Sequence, residues 1–263
     1  MKYIDISEWQ GTIDWQKVKG NVDGVIIRAG YGKGNVDAQF NRNAKMCNSL
    51  KIPCGAYWFS YAKNADEAKL EAVHLLNLVA PYQMELPLAF DFEYDSVKSA
   101  NKAGVTVTKQ LASDMVRAFC NTIEAAGYWC LNYANPDFLS RYFDDHVASR
   151  YGLWLAQWPS KVDVSKPPRK CAIWQWGGSE VPGIVGNVDT NESYTDFCKI
   201  IRESGCNNLS KNQTPVESNT KPTTNDAVAW AKSFKITENE EIAKAIYNYH
   251  NAFVAQKDEK TKA

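Results

Sequence analysis

The residues able to do chemistry in this chain are acids that close apolar runs. The segment Leu86-Pro-Leu-Ala-Phe-Asp-Phe-Glu-Tyr-Asp stays apolar until it sets Asp91 and Glu93 two residues apart, which on a β-strand puts both on one face. At about 3.3 Å rise per residue their Cα atoms stand about 6.6 Å apart, near enough for two carboxyl groups to serve one scissile bond as acid and partner. Phe90, Phe92 and Tyr94 then take the opposite face. Asp5 closes an earlier run and Asp189 a later one, so four carboxylates are candidates for a single site. Spacing alone is a weak argument, because 30 acids in 263 residues give about three acid-x-acid pairs by frequency. Burial carries more weight: an ionised carboxylate in an apolar mouth costs several kcal/mol unless paired, so a fold keeps one for a structure-fixing network or for catalysis. Taken singly, Asp5 and Asp189 fit a turn or cap equally well.

Elements must bring these acids together. Eight apolar, β-branched or aromatic runs can be counted: 3–7, 24–29, 52–61, 86–94, 127–133, 152–158, 171–176 and the short 184–189. Amphipathic patterns at 37–50, 65–79 and 108–126 lie between them, the last opened by Thr108 as N-cap. Strands alternating with helices predict a parallel sheet of the α/β class, closed as a TIM-like β/α barrel whose reacting groups sit at the C-terminal strand ends. Short later connections make that barrel irregular, with fewer helices than strands. A helix-like stretch at 194–203 ends the barrel domain, 1–206. Residues 207–225 are rich in Asn, Ser, Thr, Lys and Pro and read as a flexible linker. Beyond it, 226–256 reads as a small C-terminal helical segment, in which Thr237 and Glu240 are spaced as a capping box and Ile242, Ile246, Tyr249 and Phe253 form one stripe.

Composition removes several classes. Thirty basic side chains balance 30 acidic ones, so no electropositive surface draws the chain to nucleic acid. No run of 18 apolar residues suggests membrane insertion, and with a first strand so close to Met1 no secretory leader is expected. Seven cysteines without a C-x-x-C pair read as reduced, mostly buried residues. His74, His146 and His250 are too scattered for a zinc site, so no metal and no cofactor is expected. Gly30-x-Gly32-x-Gly34 mimics a dinucleotide loop but continues with Asn35, and reads as a flexible rim loop. No G-x-S-x-G elbow is present. Nine Trp and 13 Tyr exceed what a core usually needs, and rings with a polar edge suit sugar faces.

Seven ordered motifs carry a family resemblance: Tyr3-Ile-Asp-Ile-Ser-Glu-Trp-Gln-Gly, Val25-Ile-Ile-Arg-Ala-Gly-Tyr-Gly, Gly55-Ala-Tyr-Trp-Phe-Ser-Tyr, Ala89-Phe-Asp-Phe-Glu, Leu153-Trp-Leu-Ala-Gln-Trp, Ile173-Trp-Gln-Trp and Gly186-Asn-Val-Asp-Thr-Asn. Over about residues 1–206 the chain resembles glycoside hydrolase family 25, the muramidases (lysozymes) of phage endolysins and bacterial autolysins. The resemblance implies cleavage of the β-1,4 bond between N-acetylmuramic acid and N-acetylglucosamine, with peptidoglycan glycan strands as partner. It implies Glu93 as general acid and Asp91 as the partner that orients the 2-acetamido group or stabilises the cationic transition state, with Asp5 and Asp189 at the other acidic positions. Proximity should keep Glu93 protonated while Asp91 stays charged. Tyr31, Tyr57, Tyr61, Tyr133, Trp154, Gln157 and Gln175 match positions lining the family's sugar groove.

Two other readings stay open. A chitinase-like, substrate-assisted glycosidase also ends a strand in D-x-E, but its pattern extends backward with acids where this chain has Leu86 and Ala89. A noncatalytic glycan-binding barrel would need no acid pair. The resemblance further implies synthesis in the cytoplasm without a signal peptide and action on the bacterial wall after release through a holin pore. The C-terminal helices would then serve wall contact or self-association.

Overall fold

In the structure, a computed structural model that describes residues 1–209, alternation of inward and outward side chains closes a sheet on itself. The strands are β1 (Lys2–Ile6), β2 (Gly24–Tyr31), β3 (Asn35–Val36), β4 (Cys54–Phe59), β5 (Leu88–Asp91), β6 (Cys130–Ala134), β7 (Gly152–Ala156), β8 (Ile173–Glu180) and β9 (Asn187–Ser193). The helices are α1 (Trp15–Val18), α2 (Phe40–Leu50), α3 (Ala65–Val79), α4 (Tyr94–Lys102), α5 (Lys109–Ala125), α6 (Pro136–Arg141), α7 (Asp145–Arg150) and α8 (Phe197–Ser204). Eight strands form the closed barrel in the order β1-β2-β4-β5-β6-β7-β8-β9, and β9 returns to β1. The irregular β/α barrel expected from the sequence is therefore present, with no described helix between β7 and β8 or between β8 and β9.

The sheet is not wholly parallel. Pairings from β1 round to β8 are parallel, but β9 runs antiparallel to both β8 and β1. The expected eighth parallel strand at 184–189 is thus corrected to an antiparallel one at 187–193. The cause is the connection: residues 181–186 are too few for a crossover, which needs about a dozen, and suffice for a hairpin. Gly183 makes that turn possible, since φ is +95° and a Cβ there would lie 2.3 Å from the Asp14 carbonyl oxygen. The glycine-rich segment after β2 is also no loose loop. It folds β3 back on β2, with Gly32 and Gly34 at positive φ.

The Thr108 cap formed as read, and α3 carries a cap that the sequence reading did not single out. Thr108 Oγ1 accepts the Leu111 N–H at 3.2 Å, and Asn64 Oδ1 caps α3 by accepting the Glu67 N–H at 2.9 Å. The outward residues of β5 meet these helices: Phe90 lies 4.8 Å from the Phe119 ring of α5 and 6.2 Å from Phe92. Tyr94, expected on the same outer face, instead opens α4, half-exposed, and donates to Asp137 Oδ2 at 3.0 Å.

Inside the barrel Tyr3, Ile26, Ala89, Leu131, Trp154 and Ile173 form one apolar cluster, joined by Phe197 and Ile201 of α8. Most of these residues stand near the N-terminal strand ends, so α8 closes that end. Asn207 completes the closure. Its amide donates to the Met84 and Leu86 carbonyls at 2.7 and 3.0 Å, and its oxygen accepts the Trp129 N–H at 2.8 Å. Leu209 packs against the same cluster, so barrel packing runs past the expected boundary at 206. The rest of the linker, from 210, and the helices read at 226–256 lie outside the described residues. All seven cysteines are unpaired, four of them buried. Among the described residues no helix is long and apolar enough to cross a membrane.

Candidate active site

At the other end of the barrel Asp5, Asp91, Glu93 and Asp189 line one cavity of about 220 Å³. Three come from strands and one from just beyond. Asp5 ends the inward series of β1, and Asp189 is its registered neighbour on β9. Asp189 therefore lies near the start of an antiparallel strand, where a parallel strand's end was expected, and it is the reversal of β9 that places it beside Asp5. Asp91 is the last residue of β5. Glu93 keeps an extended backbone but caps α4, its N–H donating to Ser96 Oγ at 3.0 Å.

The floor of the cavity is a hydrogen-bonded chain. Asp5 Oδ2 accepts from Gln175 Nε2 at 3.0 Å and from Asn191 Nδ2 at 2.8 Å. Gln175 Oε1 in turn accepts from the Tyr133 hydroxyl and from Trp158 Nε1, each at 3.1 Å. Asn191 Oδ1 accepts from Trp154 Nε1 at 2.7 Å. Asp91 differs: its buried Oδ1 receives no hydrogen bond from the protein. None of the four acids has an ion-pair partner among the described residues. Arg28 lines the cavity too, but its guanidinium is held at 2.8 Å by both Asp37 and Glu8.

Burial without counter-charge raises every one of these acids. Asp5 is pushed up to about 7, by burial first and then by the charge of Asp189, against the hydrogen bonds from Asn191 and Gln175. Asp91 stands well above the usual carboxylate range, through burial and then the charge of Glu93. Glu93 is raised by burial, but its hydrogen bond with Asp91 pulls it back down. Asp189 is raised by burial alone. Asp91 is the more deeply buried of the pair, while Glu93 is half-buried and sits at a helix N-terminus.

Tyr57, Tyr133, Trp154 and Gln175 line the cavity as expected of groove residues. Trp154 is fully buried and meets Tyr133 edge-to-face at 5.0 Å, so it supports the wall more than it faces a ligand. Three expected positions fall elsewhere. Tyr31 and Tyr61 stand beyond the acid layer at the rim, Tyr31 with Arg28 stacked 5.5 Å over its ring and Tyr61 against Gly32. Gln157 lines a separate outer cavity of about 960 Å³. Trp154 points inward, so strand alternation sends Gln157 out, and its carbonyl accepts Trp174 Nε1 at 2.7 Å. Sequence reasoning passed over Asn191, Arg28 and the exposed Trp9 and Trp158. Asn191 was within reach, since it lies two residues after Asp189 on the same face. Arg28 follows from the inward parity of Ile26 and Trp158 from that of Trp154, whereas Trp9 lies outside any periodic run. Among the described residues no group of three or more His, Cys, Asp or Glu side chains is placed to hold a metal ion.

Comparison with known proteins bears on the family and the fold. The family model for glycosyl hydrolases family 25 matches residues 4–184. The uncharacterized protein YegX of Escherichia coli (strain K12) is 29% identical over 202 residues, 72% of this chain and 67% of its own length. Lysozyme M1 of Streptomyces globisporus is 24% identical over 212 residues, covering 72% of this chain and 66% of that protein. Among solved structures, the modular autolysin LytC from Streptococcus pneumoniae, in complex with a synthetic peptidoglycan ligand, superposes with a TM-score of 0.61 at 30% identity. That match covers 72% of this chain and 46% of LytC, so the chain spans about half the length of that autolysin.

Proposed function

The chain belongs to glycosyl hydrolases family 25, and on that premise we propose that this glycoside hydrolase acts on peptidoglycan, cutting the β-1,4 bond between N-acetylmuramic acid and N-acetylglucosamine. The observation that carries the reading is the cavity of four raised, unpaired acids in which Asp91 Oδ1 has no protein partner. Such a site holds a proton ready near neutrality, which hydrolysis of a glycoside needs.

The proton moves with desolvation. A sugar entering the cavity strips water from the half-buried Glu93 and raises its proton affinity, so that Glu93 carries the proton of the pair. Glu93 then delivers it to the leaving glycosidic oxygen. Asp91, now an anion, faces the ring where positive charge develops, and either stabilises that charge directly or orients the substrate's acetamido oxygen. Asp5 is fixed by Gln175 and Asn191 beneath the pair. Tyr57 and Tyr133, pushed well above the usual phenol range by burial, stay neutral hydroxyls able to bind sugar oxygens.

Digestion of purified peptidoglycan followed by mass spectrometry of the new reducing ends tests the reading. N-acetylmuramic acid at that end is expected; N-acetylglucosamine, or a released peptide, overturns it. Wall contact or self-association through residues 226–256, and release through a holin pore, belong to the same reading. A chain cut after Leu209, which spares Asn207, should retain cleavage of soluble glycan while losing wall binding or oligomeric mass.

A further inference from the structure

Beside the acid mouth α3 carries a buried acid that the hydrolysis just described does not use. Glu71 is 3% exposed, and burial pushes it up to about 8, against the hydrogen bonds from Ser60 and Tyr61 that pull it down. Its two oxygens are divided between consecutive residues past the end of β4. Oε2 accepts the Ser60 hydroxyl, and Oε1 accepts the Tyr61 N–H at 2.9 Å. Ser60 is held a second time, because its Oγ accepts the Ala62 N–H at 3.2 Å. The free end of that turn points at the site: the Ser60 N–H donates to the Asp91 carbonyl oxygen at 2.7 Å.

A glutamate this deep costs several kcal/mol unless its hydrogen bonds compensate, which is a high cost for merely ending a strand. β5 stops at Asp91, so the last backbone tie between β4 and the acid strand is this Ser60 contact. We propose that Glu71 is a positioning residue for the acid pair: acting through Ser60 on the Asp91 backbone, it fixes the spacing of Asp91 and Glu93, and through Tyr61 it sets that ring at the rim. The proposal rests on the hydrolase reading for its consequence in turnover, not for its geometry.

The test uses the full chain with Ser60→Ala, Glu71→Ala and Glu71→Gln. Two readouts are taken: kcat and KM on soluble glycan, and the carboxyl carbon NMR titration of Asp91 and Glu93, whose neighbours Asp5, Asp189 and Arg28 are unchanged. Loosening the turn should lower kcat about 10-fold, since small misplacements of reacting groups are expensive, with KM within about twofold. It should also shift the titration of the pair. Glu71→Gln retains an acceptor for Tyr61 and a contact with Ser60, and should recover most of both. Variants that melt lower yet keep the wild-type kcat and pair titration would overturn the proposal, leaving Glu71 a structural group only. If the wild-type chain does not cut glycan, the hydrolase reading fails by itself, and the titration still decides for or against Glu71. If Glu71→Ala does not fold, Ser60→Ala carries the comparison.

Discussion

The two ends of the barrel treat buried polar groups in opposite ways. At the N-terminal end Asn207 satisfies two carbonyls and one N–H, and Phe197 and Ile201 of α8 fill the space around it. At the C-terminal end four acids share a cavity, one carboxylate oxygen has no hydrogen bond, and the nearest arginine is held by other acids. One end follows the rule that buried polar atoms are paired; the other departs from it where a proton must be mobile. The contrast predicts that changes at the mouth alter turnover without stability, and changes at the closed end do the reverse.

Glu93→Gln should give the largest effect. Removal of the group that delivers the proton lowers peptidoglycan hydrolysis by about 10²–10⁴-fold, while the melting temperature stays near wild type. Turbidity clearance and a thermal melt on the same sample check it. A variant that still binds and still clears walls would remove the reason for the acid pair. At the closed end Phe197→Ala should cost about 3–5 kcal/mol of stability by emptying the cluster under Tyr3 and Ile173, with activity per folded molecule unchanged in denaturant-free assay. Asn207→Ala should cost less, about 1–3 kcal/mol, because it orphans the Met84 and Leu86 carbonyls and the Trp129 N–H without opening a large void. If either closed-end variant loses turnover in its folded fraction, the ends are not independent.

How much of this the sequence disclosed depended on the range of the cause. Thr108 as a cap and α3 at 65–79 were legible because capping and periodicity are local. Period-2 parity likewise put Asp91 and Glu93 on one face, and the same count, carried through Trp154, would have sent Gln157 outward. The direction of β9 was not in its own residues but in the shortness of 181–186, so Asp189 was given the right neighbourhood for the wrong strand geometry. Arg28 with Asp37, and Asn191 with Asp5, join residues far apart in the chain, and only closure of the barrel brings them together. How far each acid of the pair is raised follows from its burial, which no spacing in the chain reports.

The smallest effect, and the finest probe of the difference between the ends, concerns pH. Asp5 is raised from an ordinary 3.8 to about 7, so the folded state binds a proton more tightly than the unfolded chain does. Its contribution to stability is fully present below about pH 4 and is lost as pH rises through about 7. Asp91, Glu93 and Asp189 shift in the same direction, so the wild-type melting temperature should fall between pH 5 and pH 8. Asp5→Asn cannot ionise, and its side-chain oxygen still accepts from Gln175 and Asn191. The variant should therefore lose less stability over that range while losing turnover. The flattening should be on the order of 1 kcal/mol and no more, because the remaining acids retitrate to take up part of the proton that Asp5 gave up. Paired melts at the two pH values measure it. An equal fall in wild type and variant would mean that Asp5 is not strained by its burial, and the mouth would then be as well satisfied as the closed end.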